Sequence, residues 1–299
     1  MTKIICKLGA AFMRRPDVKR LKTQPKPEGV KAYKDIPYVN DGNRYHQLDV
    51  YRPEGNEELL PIIISVHGGS WFYGDKELYE NFCMDLSKRN FGVVNFSYIL
   101  SPNASYYEQL KDVYSVFTWV KENAEKYKLD LNNIFVTGDS AGAHLCGMAV
   151  NIVYNENLQK IFGLSPVITP NAMCLNCGAT ELKDLANQFG RLVFKYMIGP
   201  GFKKSTYYEV ANYSDSVTKD SCPVFFISSY ADFMRHQACR IYKKVSDMGI
   251  PTEMHFRGKG DHAKEHKPEH VYTVLYPYWE ESIEVTNKMC DFFRKYMKK

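Results

Sequence analysis

Hydrophobic and polar positions follow two alternating periods along this chain. From residue 31 onward, period-two segments and unbroken apolar runs take turns with segments of helical period, which predicts an α/β domain with a mostly parallel sheet. "VKAYKDIPYV" and "YHQLDVYRP" flank the turn dipeptide Asp41-Gly42 and read as an N-terminal hairpin. "PIIISVHGG" reads as a buried strand, "KELYENFCMDLSKRN" as a helix and "FGVVNFSYI" as the next strand. In "YEQLKDVYSVFTWVKENAEKY", Leu110, Val113, Tyr114, Phe117 and Val120 fall on one helical stripe. "NIFVTG" predicts a further strand, "AGAHLCGMAVNIVYN" a helix and "KIFGLSPV" a returning strand. Between Pro166 and Cys222 the alternation lapses into a segment rich in Asn, Gly, Tyr and Lys, with one helix expected around "ELKDLANQFGRLVFKYM". "PVFFISS" and "PTEMHF" then resume as strands around the helix "RHQACRIYKKVSDMG", and "ESIEVTNKMCDFFRKYM" closes the chain as an amphipathic helix. The organisation expected is an N-terminal arm over residues 1–30 and a single domain over 31–299, with a cap inserted at about 167–222.

Composition narrows the classes. A chain of 299 residues buries roughly 75% of its unfolded surface, enough for a core without cofactor or metal. Apolar content of 44% and charged content of 24% are ordinary for a globular protein, and no apolar run approaches the roughly 20 residues of a membrane span. The net charge of +5 is spread thinly, and its one basic cluster, "RRPDVKRLKTQPK", is too sparse to make nucleic acid the main partner. An acidic membrane surface or a nucleic acid remains only an accessory role for that arm. "MTKIICKLGAAFMRR" is interrupted by Lys7 and reads as a short amphipathic helix rather than a secretory signal. Eight cysteines without a framework spacing suggest free buried thiols in a reducing, cytoplasmic setting. Cys174 and Cys177 have metal or redox spacing but no second pair to complete a zinc site.

The chemistry concentrates at "VTGDSAGAHL", residues 136–145, where Gly138, Ser140 and Gly142 form G-x-S-x-G after a strand and before a helix. Such a bend leaves no room for side chains beside the nucleophile, and the helix starting at Ala141 aims its positive end at the seryl oxygen. A serine hydroxyl also needs a base to take its proton and donors for the oxyanion. "VHGGSW" supplies a glycine loop after the upstream strand. The backbone amides of Gly69 and Ala141 are the expected donors, with Gly68 an equal candidate to Gly69, each worth roughly 3 kcal/mol in the transition state. His67, inside that loop, reads as structural.

With this elbow the acid and then the histidine follow in chain order, each on a loop after a strand. "SSYADFMRHQ" places Asp232 there, and the glycine-flanked "FRGKGDHAKEH" places His262, with His266 as its competitor and His255, His236 and His270 lacking the post-strand glycine loop. His262, His266 and His270 recur every four residues, but Pro268 breaks the helix that a shared metal would need, so no metal is expected.

The ordered elements "HGGSW", "GDSAGAHL", "ADFMRHQ" and "GKGDH" resemble the α/β-hydrolase superfamily. Within it they are similar to small serine carboxylesterases of the hormone-sensitive-lipase-like and kynurenine formamidase or feruloyl-esterase-like groups, over residues from about 45 to the C-terminus. The resemblance implies the α/β-hydrolase fold, a triad of Ser140, Asp232 and His262, no cofactor, and hydrolysis of small-molecule carboxylic esters through an acyl-enzyme. Aryl formamide hydrolysis by the same residues and a non-catalytic binding protein on the same fold are the alternatives. Ser70 stands where the lipase-like group has a third glycine, Phe233 where it has proline after the acid, and Ala143 where its elbow has a further glycine. His144-Leu145 looks more like the formamidase and feruloyl-type elbow. Trp71 and the cap aromatics Phe202, Tyr207 and Tyr208 are expected to line the substrate pocket, with plain cap packing as the competing reading. Oligomeric state, a homodimer included, is left open.

Overall fold

The computed structural model describes the backbone of residues 2–185 and 188–299, with side chains from 6–185 and 191–299. A long helix, α1 (Thr2–Thr23), precedes the hairpin β1 (Val30–Pro37) and β2 (Gln47–Pro53). Then come β3 (Leu60–Val66), α2 (Glu80–Ser87), β4 (Gly92–Phe96), α3 (Tyr106–Asn123), β5 (Leu129–Asp139), α4 (Ala141–Tyr154), α5 (Glu156–Phe162) and β6 (Ala172–Asn176). The helices α6 (Gln188–Met197), α7 (Thr206–Glu209) and α8 (Tyr213–Ser216) lead to β7 (Val224–Ser229), α9 (Arg235–Asp247), β8 (Thr252–Arg257), α10 (Tyr272–Leu275) and α11 (Glu280–Lys295).

Among the described residues the strands form one eight-stranded sheet in the order β1-β2-β4-β3-β5-β6-β7-β8. β1 and β2 pair antiparallel, as does β2 with β4, and every other neighbouring pair is parallel. This is the mostly parallel, helix-flanked sheet that the sequence pattern and the α/β-hydrolase resemblance led one to expect. The central strands carry apolar side chains on both faces, as parallel strands covered on both sides must. One face packs Ile62, Ile64 and Val136 against α3, α4 and α9. The other packs Ile63, Val93 and Phe135 against α2 and α11. The α3 stripe Leu110, Val113, Tyr114, Phe117 and Val120 is wholly buried, and Ser105 with Glu108 closes a capping box at its start.

Two expectations change. Residues 160–167, read as a strand, belong instead to α5 and the loop after it: Asn155 caps the helix by accepting from the Asn157 and Leu158 amides, and Gly163 ends it at φ 58°. The strand is "AMCLN", β6, inserted between β5 and β7, so the segment outside the sheet begins after Asn176 rather than at residue 167. The single helix expected over 181–197 is a 3-10 turn at Leu182–Asp184 followed by α6, and its residues 186–187 lie outside the described residues.

The order of strands also fixes where a site can form. From β3 the chain crosses to β4 on one side and then to β5 on the other, and a crevice opens at such a reversal beyond the carboxyl ends of the strands. Val66 pairs with Gly138, so the loops leaving β3 and β5 emerge side by side.

Candidate active site

Ser140 occupies the turn between β5 and α4 with φ 49° and ψ −117°, a backbone conformation costly for any residue with a Cβ. The turn is held by the Ser140 amide donating to the Asn176 carbonyl (3.0 Å) and the Ala179 amide donating to the Ser140 carbonyl (3.0 Å). Its flanking glycines are sterically obligatory. A Cβ on Gly138 would lie 2.4 Å from the Gly142 carbonyl oxygen, and one on Gly142 would lie 2.1 Å from that of Val66.

The imidazole beside Ser140 is that of His270, and this corrects the assignment of His262. His270 Nε2 lies 2.9 Å from Ser140 Oγ, and its Nδ1 lies 2.7 Å from Asp232 Oδ1. Asp232 stands where its chain position suggested, just past β7 and fully buried, and it also accepts from the Ser228 hydroxyl (2.7 Å) and the Met234 amide (2.9 Å). Burial works to raise the Asp232 pKa, but the hydrogen bond and charge of His270, with the bonds from Ser228 and Met234, outweigh it and hold the carboxyl below its ordinary value. His262 points elsewhere: its Nε2 lies 3.1 Å from the Tyr230 hydroxyl and its Nδ1 2.7 Å from the Ala263 carbonyl. His266 bonds Glu281 at 2.8 Å and stacks on Trp279. The loop after β8 runs through residues 258–267 before it returns to the sheet, where the Ser229 hydroxyl donates to the Pro268 carbonyl and Ala231 bridges Glu269. That bridge sets His270 beside Asp232. The three evenly spaced histidines therefore serve three different partners and share no ligand face.

The glycine loop after β3 narrows the donor choice. The Gly68 amide already donates to the Tyr79 hydroxyl (2.8 Å) and Asp139 Oδ1 (3.1 Å), which removes it as an oxyanion donor. Gly69, at φ 114°, and Ala141, whose amide opens α4, have no amide acceptor among the described residues. His67 is fully buried, donates to the Gly68 carbonyl at 2.7 Å and stacks on Tyr98. Burial drops its pKa to about 4, so it stays neutral.

Asp139 ties this loop to the elbow, because Tyr79 also donates to its Oδ2 at 2.8 Å. Complete burial pushes the Asp139 pKa up to about 6, against the opposing pull of the Tyr79 bond, the His270 charge and the Gly68 amide. A carboxyl whose folded pKa exceeds its unfolded value gives stability at low pH that is lost as pH rises through the folded value. The unmodified protein is therefore expected to lose on the order of 3 kcal/mol relative to Asp139→Asn between pH 4 and 7. Urea midpoints of both proteins across that range measure it, and parallel profiles would refute the assignment.

A cavity of about 400 Å³ lies over Ser140, and its walls differ from those expected. One wall is α1, through Phe12, Met13 and Pro16, and the other includes Tyr73, Val274 and Leu275. α1 is tied across it: Tyr73 donates to Asp17 at 2.6 Å, Arg20 donates to the Leu275 carbonyl at 2.9 Å, and Gln24 donates to the same carbonyl. The aromatics assigned to the pocket pack elsewhere. Trp71 is 1% exposed and meets His144 edge-on, Phe202 stacks on Phe194, Tyr208 meets Phe194 edge-on, and Tyr207 stacks on Tyr107 of α3 and Phe162 of α5. Large rings gain more from burial between the insertion and these helices than from lining an open cavity.

Among the described residues one group has the composition of a metal site, Cys177, Asp232 and His270, with ligand atoms within 4.8 Å of one another. Its imidazole and carboxylate are already bonded to each other, and burial holds the Cys177 thiol well above its ordinary pKa, which disfavours the thiolate a metal requires. Cys174 is buried within β6.

Sequence comparison places these features among known proteins. The chain is 34% identical over 108 residues to a putative alpha/beta hydrolase of Acanthamoeba polyphaga mimivirus, a stretch covering 36% of this chain and 31% of that one. It is 24% identical over 229 residues to the versiconal hemiacetal acetate esterase of Dothistroma septosporum, covering 71% and 68% respectively. Thus the match spans less than a third of the viral protein's length. Esterase B from Lactobacillus rhamnosis superposes with a TM-score of 0.92 over 99% of this chain and 95% of its own, at 24% identity, a likeness of fold. The profile of the BD-FAE family matches residues 48–239, more than half of the chain and the stretch that carries Ser140 and Asp232, and the chain therefore belongs to that family.

Proposed function

We propose that the protein is a serine hydrolase of carboxylic esters, with Ser140, His270 and Asp232 as its catalytic triad. The observation that carries this is the single imidazole bridging a strained seryl hydroxyl at 2.9 Å and a buried carboxylate at 2.7 Å. Ser140 Oγ attacks the ester carbonyl as His270 Nε2 takes its proton, and Asp232 fixes the tautomer through Nδ1 and stabilises the imidazolium. The Gly69 and Ala141 amides donate to the oxyanion. His270 then returns the proton to the leaving alcohol, and a water deprotonated by the same ring hydrolyses the acyl-enzyme. A cavity of about 400 Å³ with largely apolar walls suits small or aryl acyl groups. The esterase names of the Dothistroma and Lactobacillus proteins support the choice of bond. No helix among the described residues is long and apolar enough to cross a membrane, and buried thiols such as Cys146, Cys174 and Cys290 favour a cytoplasmic setting.

A fluorophosphonate probe is expected to label Ser140 stoichiometrically, and p-nitrophenyl esters of short acyl chains to turn over faster than N-formyl aromatic amines. Peptide mass spectrometry showing no adduct at residue 140 would sink the proposal.

A further inference from the structure

The outward face of α1 is not built like the rest of the surface. Leu8, Phe12, Arg15, Lys19 and Lys22 follow one another at steps of four and three, which places them on a single stripe, and all five are exposed. Leu8 is 67% exposed and Phe12 is 81% exposed, so the helix presents its two largest apolar outward residues to water within one turn of each other. The remainder of the stripe is basic. Lys7, Arg15, Lys19 and Lys22 meet no acidic side chain among the described residues, whereas Arg14 pairs with Asp75, Arg20 with Asp17 and Lys26 with Glu80. The one acid on the helix, Asp17, is turned inward to Tyr73. Phe12 also borders the cavity over Ser140, and so does Phe233, which is 65% exposed and packs its ring 4.1 Å from that of His270.

We infer that this face of α1 docks on an anionic phospholipid bilayer, with Leu8 and Phe12 entering the headgroup and acyl boundary and Arg15, Lys19 and Lys22 facing the lipid phosphates. On one outward stripe, exposed apolar side chains can enter the acyl boundary while the unpaired cations next to them meet lipid phosphates, the two attractions that hold a protein surface to an anionic bilayer. α1 lacks the continuous apolar length to span, so it lies on the surface. A nucleic acid would match the cations but leave Leu8 and Phe12 without a role, and a second copy of this chain would bring like charges together on the stripe. Docked this way, the cavity mouth between Phe12 and Phe233 faces the bilayer, and a poorly water-soluble ester can pass into it without crossing bulk water. The docking stands whether or not Ser140 acts on esters, because it is read by binding alone.

Flotation of the full-length protein with vesicles provides the test, using phosphatidylcholine alone or with about a third phosphatidylglycerol. The protein is expected to float with the anionic vesicles and not the neutral ones, less so as salt rises. Lys19→Glu with Lys22→Glu should lower the partition coefficient at least roughly tenfold, and Leu8→Ser roughly threefold or more, with turnover of a water-soluble ester unchanged in both. Equal flotation of the unmodified protein and the double charge variant would overturn the inference. So would self-association abolished by Leu8→Ser without vesicle binding, which assigns the face to a second copy. Duplex DNA binding that displaces the vesicles, with vesicle binding indifferent to Leu8→Ser, would make it a general polyanion surface and overturn it too.

Discussion

His270→Ala is expected to lower kcat on a short aryl ester by roughly ten-thousand-fold or more, while His262→Ala changes it by less than about twofold. The difference follows from which ring can accept the seryl proton. Nε2 of His270 lies 2.9 Å from Ser140 Oγ, whereas both ring nitrogens of His262 bond to Tyr230 and Ala263. In His270→Ala the hydroxyl has no base and Asp232 loses the partner that holds its charge, so covalent labelling of Ser140 by a fluorophosphonate should slow along with turnover. Stopped-flow measurement of the acylation burst on both variants decides the matter. An active His270→Ala protein would remove the central element of the mechanism.

Gly142→Ala should cost about 3 kcal/mol or more of stability and at least about a hundredfold in kcat. The added methyl would sit 2.1 Å from the Val66 carbonyl oxygen and 2.5 Å from that of His67, and neither can retreat without shifting β3 or the loop that carries Gly69. Relief must come from moving the start of α4, and with it Ser140 and the Ala141 amide. Gly163→Ala is the contrasting case: its φ is 58°, unlike the helical Gly142, but no atom lies within 4 Å of its Cβ, so about 1 kcal/mol of backbone strain with unchanged kcat is expected. Urea denaturation and steady-state kinetics on the two proteins separate crowding at the elbow from the general penalty of losing a glycine.

The elbow was legible because its requirements are local. Two glycines around a serine, an apolar run before and a helical stretch after, encode a turn that packing elsewhere cannot easily alter. Asp232 was legible for the same reason, one turn past the buried run "VFFISS". His270 was not, because its place depends on contacts distant in sequence: the Ser229 hydroxyl on the Pro268 carbonyl and the bridge from Ala231 to Glu269. Proximity to a strand end favoured His262, and only Pro268, which interrupts the histidine spacing, hinted that the chain turns back there. β6 was missed through its short, mixed composition: "AMCLN" offers five residues including a polar asparagine, while the apolar "KIFGL" nearby belongs to a helix whose Asn155 cap and Gly163 stop were readable signals. The cavity wall was hidden in a different way. α1 turns a mixture of Met13, Asp17, Leu21 and Gln24 inward, too polar to register as a buried stripe, and its docking rests on individual hydrogen bonds.

Those hydrogen bonds have a consequence for biosynthesis. Arg20 reaches a carbonyl 255 residues downstream and Gln24 the same carbonyl 251 residues downstream, so part of what anchors α1 is synthesised long after it. The contacts to Tyr73 and Asp75 are available early, but the latch on the Leu275 carbonyl waits until α10 has emerged. A bulky tag fused ahead of α1 therefore sits on the element whose closure waits for that carbonyl.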